Sequence, residues 1–182
     1  MTFKDIALSM WPFWGIGAVM LAATAAAGHK ELIRIEKSAV LRWVKFLGII
    51  TIYRLLVFKL LAHFSMFGNS VQGASIIPIG ATFTVFWEDA CHGLPLVLLQ
   101  MMIGTKTWLT KIINAVALGL VAASFGSGHV YQGTFAAMIL MLYIPYSMKL
   151  GKKYGFGTVM VCHTLYDLST IIAIKWALGS LF

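Results

Sequence analysis

The chain has 182 residues, of which 60% are hydrophobic and 11% are charged, and its formal net charge is +8. Soluble domains carry about 25% charged residues, so this composition excludes an ordinary soluble protein and predicts a membrane protein. The basic residues lie in short segments between apolar runs, where they orient a chain against a lipid bilayer. The positive charge therefore does not indicate a nucleic-acid partner.

Apolar runs separated by polar segments predict six helices, since a spanning helix needs about 20 apolar residues. These are residues 11–28, 43–66, 76–104, 112–128, 133–148 and 157–180. The first run is predicted to be a retained transmembrane helix and not a signal peptide, because Asp5 lies in the segment before it. Pro95 is expected to kink the third helix, and Gly126 and Gly128 to break the fourth. The fold predicted for residues 1–182 is a single all-α domain, a polytopic transmembrane helical bundle of about six spans.

The charges divide the connecting segments into two groups. One group holds nine basic residues, which are Lys30, Arg34, Lys37, Arg42, Lys106, Lys111, Lys149, Lys152 and Lys153. The alternate segments, 67–75 and 128–133, contain no lysine, arginine or carboxylate. The positive-inside rule then predicts that the basic loops are cytoplasmic and that both termini are outside. We expect a multi-pass integral protein of a bacterial-type cell membrane, with the lipid bilayer as its main surroundings.

Six ionisable residues lie inside stretches that are otherwise predicted to span the membrane. They are Glu88, Asp89, His92, His129, His163 and Asp167. An ionisable group inside a bilayer costs about 2.5–3.5 kcal/mol on insertion scales, so it normally faces the bundle interior or a wet cavity and marks a functional site. We therefore predict that these side chains converge on one polar site.

The spacing of these residues indicates hydrolytic chemistry. Glu88 and His92 are four residues apart, as are His163 and Asp167, so each pair shares one face of a helix. A carboxylate in an apolar site binds a proton more readily than in water and can act as a general base. Imidazoles can hold a water molecule or donate to a developing oxyanion, and an aspartate one turn away can orient the ring. The same groups are also the parts of a metal site.

Two motifs resemble a known family. The segment FGSGHVYQG (125–133) and the later HTLYD (163–167) are similar to the second and third motifs of the CPBP family, the CAAX-protease and bacteriocin-processing membrane proteins. That family's pattern is FxxxH followed by HxxxN or HxxxD. Phe125 and His129 fit the first part, and His163 and Asp167 fit the second. The resemblance covers about residues 80–170.

The resemblance implies a glutamate-type intramembrane endopeptidase that hydrolyses a peptide bond of a membrane-associated or lipid-modified substrate without a metal. It implies catalytic roles for four residues. Glu88 would activate water, His129 would position it, and His163 with Asp167 would stabilise the oxyanion or orient the group that does so. The expected partner is a peptide or protein substrate at the membrane, and nothing in the sequence indicates an oligomeric state.

The first motif departs from the family pattern, which has two adjacent glutamates, three residues and then an arginine. In WEDACHG (87–93), alignment on the acidic pair Glu88–Asp89 puts Gly93 at the arginine position. A shift by one residue puts His92 there and replaces the first glutamate by Trp87. Both alignments keep Glu88 as the candidate base, with Asp89 and His92 in supporting positions.

Arg54 lies in the middle of a predicted helix, in TIYRLLVF (51–58), where an unpaired guanidinium would be costly. We expect it to turn into the bundle and pair with Asp89, Glu88 or Asp167, in place of the missing arginine. The alternative is that its side chain extends along the helix to the membrane surface.

Two other functions remain open. The altered first motif favours a catalytically silent immunity or scaffolding protein on the same fold. A metal-dependent membrane hydrolase could use His92, His129, His163 and a carboxylate, with zinc as the metal. No HExxH helix is present, and Cys91 and Cys162 lack the usual close spacing of zinc ligands, so we expect no bound metal.

Overall fold

The computed structural model describes residues 3–64, 79, 82–130 and 134–179. The described residues form helices and connecting turns without any strand, which confirms the all-α prediction. The helices are α1 (Phe3–Ala26), α2 (Lys30–Ile33), α3 (Lys37–His63), α4 (Thr82–Val85), α5 (Glu88–Ile103), α6 (Trp108–Gly128), α7 (Thr134–Met141), α8 (Tyr143–Tyr154) and α9 (Phe156–Ala177).

Each predicted helix has a helical counterpart, but two of them are divided. A turn at Phe86–Trp87 separates α4 from α5, and a turn at Leu142 separates α7 from α8. The fourth helix ends at Gly128, as predicted, but the predicted break at Gly126 is wrong, because α6 continues through that residue. The predicted loop 67–75, the start of the third predicted helix and residues 131–133 lie outside the described residues.

Two of the described helices, α6 and α9, are each long and apolar enough to cross a membrane. With a rise of about 1.5 Å per residue they are about 31 and 33 Å long, close to the ~30 Å hydrocarbon core of a bilayer. Helix α1 contributes a shorter apolar stretch, Trp11–Ala26. Along α3, large apolar side chains such as Ile49, Tyr53 and Leu56 are exposed, which suits contact with lipid better than contact with water.

The core is packed where α5, α8 and α9 meet around Phe156, whose side chain is fully buried. Two glycines allow this close approach. A Cβ atom on Gly93 of α5 would lie 2.7 Å from the Phe156 ring, and one on Gly151 of α8 would lie 2.5 Å from it. Gly93 is the sixth residue of α5, so the contact brings the three helices together near the start of α5.

The segments that carry basic residues meet at one end of the bundle. The Arg34 guanidinium donates to the backbone oxygen of Lys153 at 2.7 Å, and the Thr158 backbone N–H donates to the Arg34 oxygen at 3.3 Å. The Lys152 ammonium donates to the side-chain oxygen of Gln100, near the end of α5. Gly155 joins α8 directly to α9 with a φ of +88°, a conformation that glycine adopts without strain.

Candidate functional site

The Asp89 carboxylate lies at the centre of the candidate site and is fully buried. It accepts hydrogen bonds from the Tyr143 hydroxyl, at 2.9 Å to Oδ1 and 3.1 Å to Oδ2. It also accepts one from Nδ1 of His163, at 3.1 Å to Oδ2. These contacts offset the cost of removing a carboxylate from water, and they join α5, α8 and α9 at one point.

The two helix interruptions supply two of these three residues. After the turn at Phe86–Trp87, Asp89 lies in the first turn of α5, and Tyr143 is the first residue of α8 after the turn at Leu142. The unpaired N–H groups of a first helical turn and the helix dipole favour a carboxylate such as Asp89. His163 comes from within α9, so the site lies inside the bundle and away from its basic end.

His163 lies between two carboxylates. Since a carboxylate oxygen only accepts hydrogen bonds, Nδ1 carries the proton that bonds to Asp89. Nε2 of the same ring lies 3.9 Å from Oδ2 of Asp167, one turn further along α9. The His163 side chain is 13% exposed and that of Asp167 is 32% exposed, so the Nε2 side of the ring faces the more open part of the site.

Glu88 is half-buried and precedes Asp89 at the start of α5. It interacts electrostatically with His163, Asp167 and Asp89. The candidate base therefore lies near the cluster, but the ion pairs of His163 within 4 Å are with Asp89 and Asp167 and not with Glu88.

The other two histidines are oriented by their own helices. Nδ1 of His92 donates to the Glu88 backbone oxygen at 2.8 Å, and Nδ1 of His129 donates to the Phe125 backbone oxygen at 2.8 Å. In the neutral form of each ring, Nε2 is then the nitrogen that accepts a hydrogen bond. His129 also interacts electrostatically with Asp167, which connects the end of α6 to the cluster.

Phe125 connects these histidines with the Asp89 cluster through ring contacts. Its ring centroid lies 5.3 Å from that of His92, 4.5 Å from that of His129 and 5.7 Å from that of Tyr143. The Tyr143 ring lies 4.6 Å from the His163 ring. The Phe125 ring is buried, so it packs between the rings of His92, His129 and Tyr143 and limits the space in which they can rotate.

Arg54 turns into the bundle, but it does not make the predicted bond. Its guanidinium donates to the Ser169 hydroxyl at 3.1 Å and lies over the Tyr166 ring, 4.2 Å from the centroid. It interacts with Asp167 only electrostatically, without a contact within 4 Å. Of the three predicted partners, Asp167 therefore interacts with Arg54 without a direct ion pair, and the Asp89 carboxylate is bonded to Tyr143 and His163 instead.

Tyr143 was not among the residues predicted from the sequence. The available signal was a tyrosine inside an otherwise apolar run, since a buried tyrosine hydroxyl usually needs a hydrogen-bond partner. Tyr146 lies on the same helix and gives the same signal, but its side chain is 55% exposed. Only the packing of the helices distinguishes the two.

An apolar cleft of about 390 Å³ opens beside the site, between the start of α5 and α9. It is lined by Phe86, Trp87, Val161, Thr164 and Leu165. On each side of the cleft, one lining residue is the chain neighbour of a site residue. Trp87 precedes Glu88, and Thr164 follows His163.

Within the part of the chain that the structure describes, no group of three or more histidine, cysteine, aspartate or glutamate side chains has the arrangement of a metal site. Cys91 and Cys162 are both free thiols, and the Cys91 thiol donates to the backbone oxygen of Phe13 at 3.0 Å.

Comparisons of the chain with protein-family models, with curated proteins and with solved structures found no match. A functional proposal therefore depends on the motifs and on the geometry of the site.

Proposed function

We propose that this protein is a multi-pass membrane protein that acts as an intramembrane endopeptidase of the glutamate type, similar to CPBP and CAAX proteases. Its substrate is a membrane-associated or lipid-modified peptide. The observation that carries the proposal is the position of Glu88 beside the buried cluster of Asp89, Tyr143 and His163, within a bundle of apolar helices.

The proposed reaction is the addition of water to a peptide carbonyl. Glu88 takes a proton from a water molecule that His129 helps to position, and the water oxygen bonds to the carbonyl carbon. His163, charged and held between Asp89 and Asp167, donates from Nε2 to the developing oxyanion. The carbon–nitrogen bond then breaks, and the proton held by Glu88 passes to the leaving amine.

The arrangement of the helices supports a membrane location for this chemistry. In the proposed topology six segments span the bilayer, which are α1, α3, α4 with α5, α6, α7 with α8, and α9. Interrupted helices at membrane depth are tolerated where they are buried in protein or line a cavity, and they commonly form binding sites. Both interruptions adjoin the cluster, at Glu88–Asp89 and at Tyr143, and the apolar cleft offers a route for an apolar substrate.

Replacement of the candidate base tests the proposal. Wild type and Glu88→Gln are expressed in bacterial membranes at equal levels, and new peptide N-termini in the membrane fraction are compared by mass spectrometry. The amide keeps the shape of the side chain but cannot take a proton from water, so we expect loss of about 100-fold or more in cleavage. Glu31→Gln is the matched control, because Glu31 is exposed at the basic end. Equal cleavage by wild type and Glu88→Gln would exclude this mechanism.

A second candidate function is favoured by Gly93. If the acidic pair aligns with the family's two glutamates, Gly93 takes the position of the family's arginine. A Cβ atom at Gly93 would already lie 2.7 Å from the Phe156 ring, so no larger side chain fits there. Arg54 does not fill that role through a carboxylate contact. A catalytically silent protein that binds an apolar chain in the cleft fits this observation, and wild type would then produce no new N-termini in the same experiment.

We propose that the reaction needs no metal, and zinc is the alternative. Elemental analysis of protein purified without chelator tests this. About one equivalent of zinc, lost together with activity on chelation, would move the protein to the metal-dependent hydrolases.

A further inference from the structure

We propose that Tyr143 is a positioning residue of this site. Its hydroxyl fixes the Asp89 carboxylate, and the fixed carboxylate orients the His163 ring so that Nε2 faces the reacting side. The consequence for turnover rests on the function proposed above, whereas the effect on His163 does not.

The hydroxyl bridges both oxygens of Asp89, at 2.9 and 3.1 Å. The terminal torsion of an aspartate is broad, so a single hydrogen bond leaves the carboxylate free to rotate about it. A donor between the two oxygens opposes that rotation and fixes the position of Oδ2. Oδ2 is also the atom that accepts the hydrogen bond from His163 Nδ1. The orientation of the histidine therefore depends on a hydroxyl that does not bond to it.

Tyr143 is itself held firmly. Its ring stacks on Phe125 with an interplanar angle of 26° and lies 4.6 Å from the His163 ring. The next residue, Ile144, is 1% exposed and anchors the start of α8 in the core. Replacement of Tyr143 by phenylalanine keeps these ring contacts and removes only the hydroxyl.

The orientation of His163 matters because its two nitrogens have different tasks. Nδ1 bonds to Asp89, and Nε2 lies on the side of Asp167 and the less buried part of the site. In hydrolases with a histidine and an aspartate, the aspartate serves by holding the imidazole in the correct orientation and tautomer. Here Tyr143 holds the aspartate, and the aspartate in turn holds the histidine.

The test is solid-state NMR of ¹⁵N-histidine-labelled protein in phosphatidylglycerol–phosphatidylethanolamine vesicles, with the His163 signals identified from a His163→Asn sample. In the wild type we expect one sharp Nδ1–H signal of a strongly hydrogen-bonded ring. In Tyr143→Phe that signal should shift and broaden as the carboxylate and the ring become mobile. Tyr146→Phe is the matched control, since Tyr146 is exposed on the same helix, and it should leave the signal unchanged.

An unchanged His163 signal in folded Tyr143→Phe would overturn the proposal, whether or not the protein cleaves peptides. If Tyr143→Phe does not fold, Asp89→Asn decides the matter, because the proposal acts through this carboxylate. An unchanged signal in that variant overturns it, and a changed one supports the route through Asp89 on which the proposal depends. Where wild type cleaves peptides, Tyr143→Phe should lower kcat about tenfold or more with little change in KM, as expected for a loss of orientation and not of binding.

Discussion

Asp89 and Asp167 both face His163, but their surroundings differ. Asp89 is fully buried and receives hydrogen bonds from two side chains, whereas Asp167 is 32% exposed and lies 3.9 Å from the ring. Removal of a buried carboxylate lowers the free energy of unfolding more than removal of an exposed one, because its hydrogen-bond donors are left buried without an acceptor. We therefore expect Asp89 to contribute mainly to stability, and Asp167 to contribute little to it.

We predict that Asp89→Ala destabilises the protein by about 3–5 kcal/mol, since it leaves the Tyr143 hydroxyl and the His163 Nδ1–H buried without an acceptor. Asp167→Ala should cost less than about 1 kcal/mol, as for a partly exposed ion pair. Unfolding of the purified proteins in mixed micelles, titrated with sodium dodecyl sulfate, measures both. Equal losses in the two variants would contradict the central position of Asp89.

The ionisable residues of the site could be predicted from the sequence, because an ionisable residue within an apolar run is visible without any knowledge of how the helices pack. The spacing of His163 and Asp167 on one helix face is likewise local and agrees with the structure. The bonds of Asp89 to Tyr143 and His163 connect residues 54 and 74 positions apart, so they depend on how three helices pack. The hydrogen bond of Arg54 to Ser169, which was not predicted, likewise depends on how α3 packs against α9.

At the scale of helices, the apolar runs predicted where helices form but not where they are interrupted. The turn at Phe86–Trp87 contains neither glycine nor proline, so no local signal marks it. The turn at Leu142 does have one, because Pro145 has no backbone N–H to bond the Met141 oxygen and its ring interrupts the helix at that point. The reverse error occurred at Gly126, which was expected to break a helix. A Cβ there would lie 2.5 Å from the Met141 side chain and 2.8 Å from the Ala137 oxygen, so this glycine permits α6 to approach α7 closely.

Gly93 likewise allows a close helix contact, since it brings α5 against α9. Gly93→Ala should destabilise the protein by about 1–3 kcal/mol, because the added methyl group would meet the Phe156 ring at 2.7 Å and Ser147 Oγ at 3.1 Å. Gly119→Ala is the matched control within a helix. Nothing lies within 4 Å of a Cβ at Gly119, so the change should be neutral or stabilising by up to about 1 kcal/mol. Thermal unfolding in detergent compares them, and an equally stable Gly93→Ala would argue against the close packing around Phe156.

At the scale of the whole molecule, the charge is distributed very unevenly. The structure brings the loop before α3, the junction of α8 with α9 and the end of α5 together through Arg34, Lys153 and Gln100. Nine of the 14 basic residues lie in these connecting segments and adjacent helix ends, against the two acidic residues Glu31 and Glu36. Most of the net charge of +8 therefore belongs to one end of the bundle, and if the bundle spans a membrane, the positive-inside rule predicts that this end is cytoplasmic.

Two positions that flank α6 test this orientation, because the helix is one of the two candidate spans and is about 31 Å long. Lys106 lies before α6 at the basic end and Val130 lies just after it, and both side chains are exposed. Single cysteines are placed there in a background with Cys91→Ser and Cys162→Ser, and cells are treated with a membrane-impermeant maleimide. We expect Val130→Cys to react in intact cells and Lys106→Cys to react only after lysis. The opposite pattern would invert the topology, and reaction at both positions in intact cells would mean that α6 does not span the membrane.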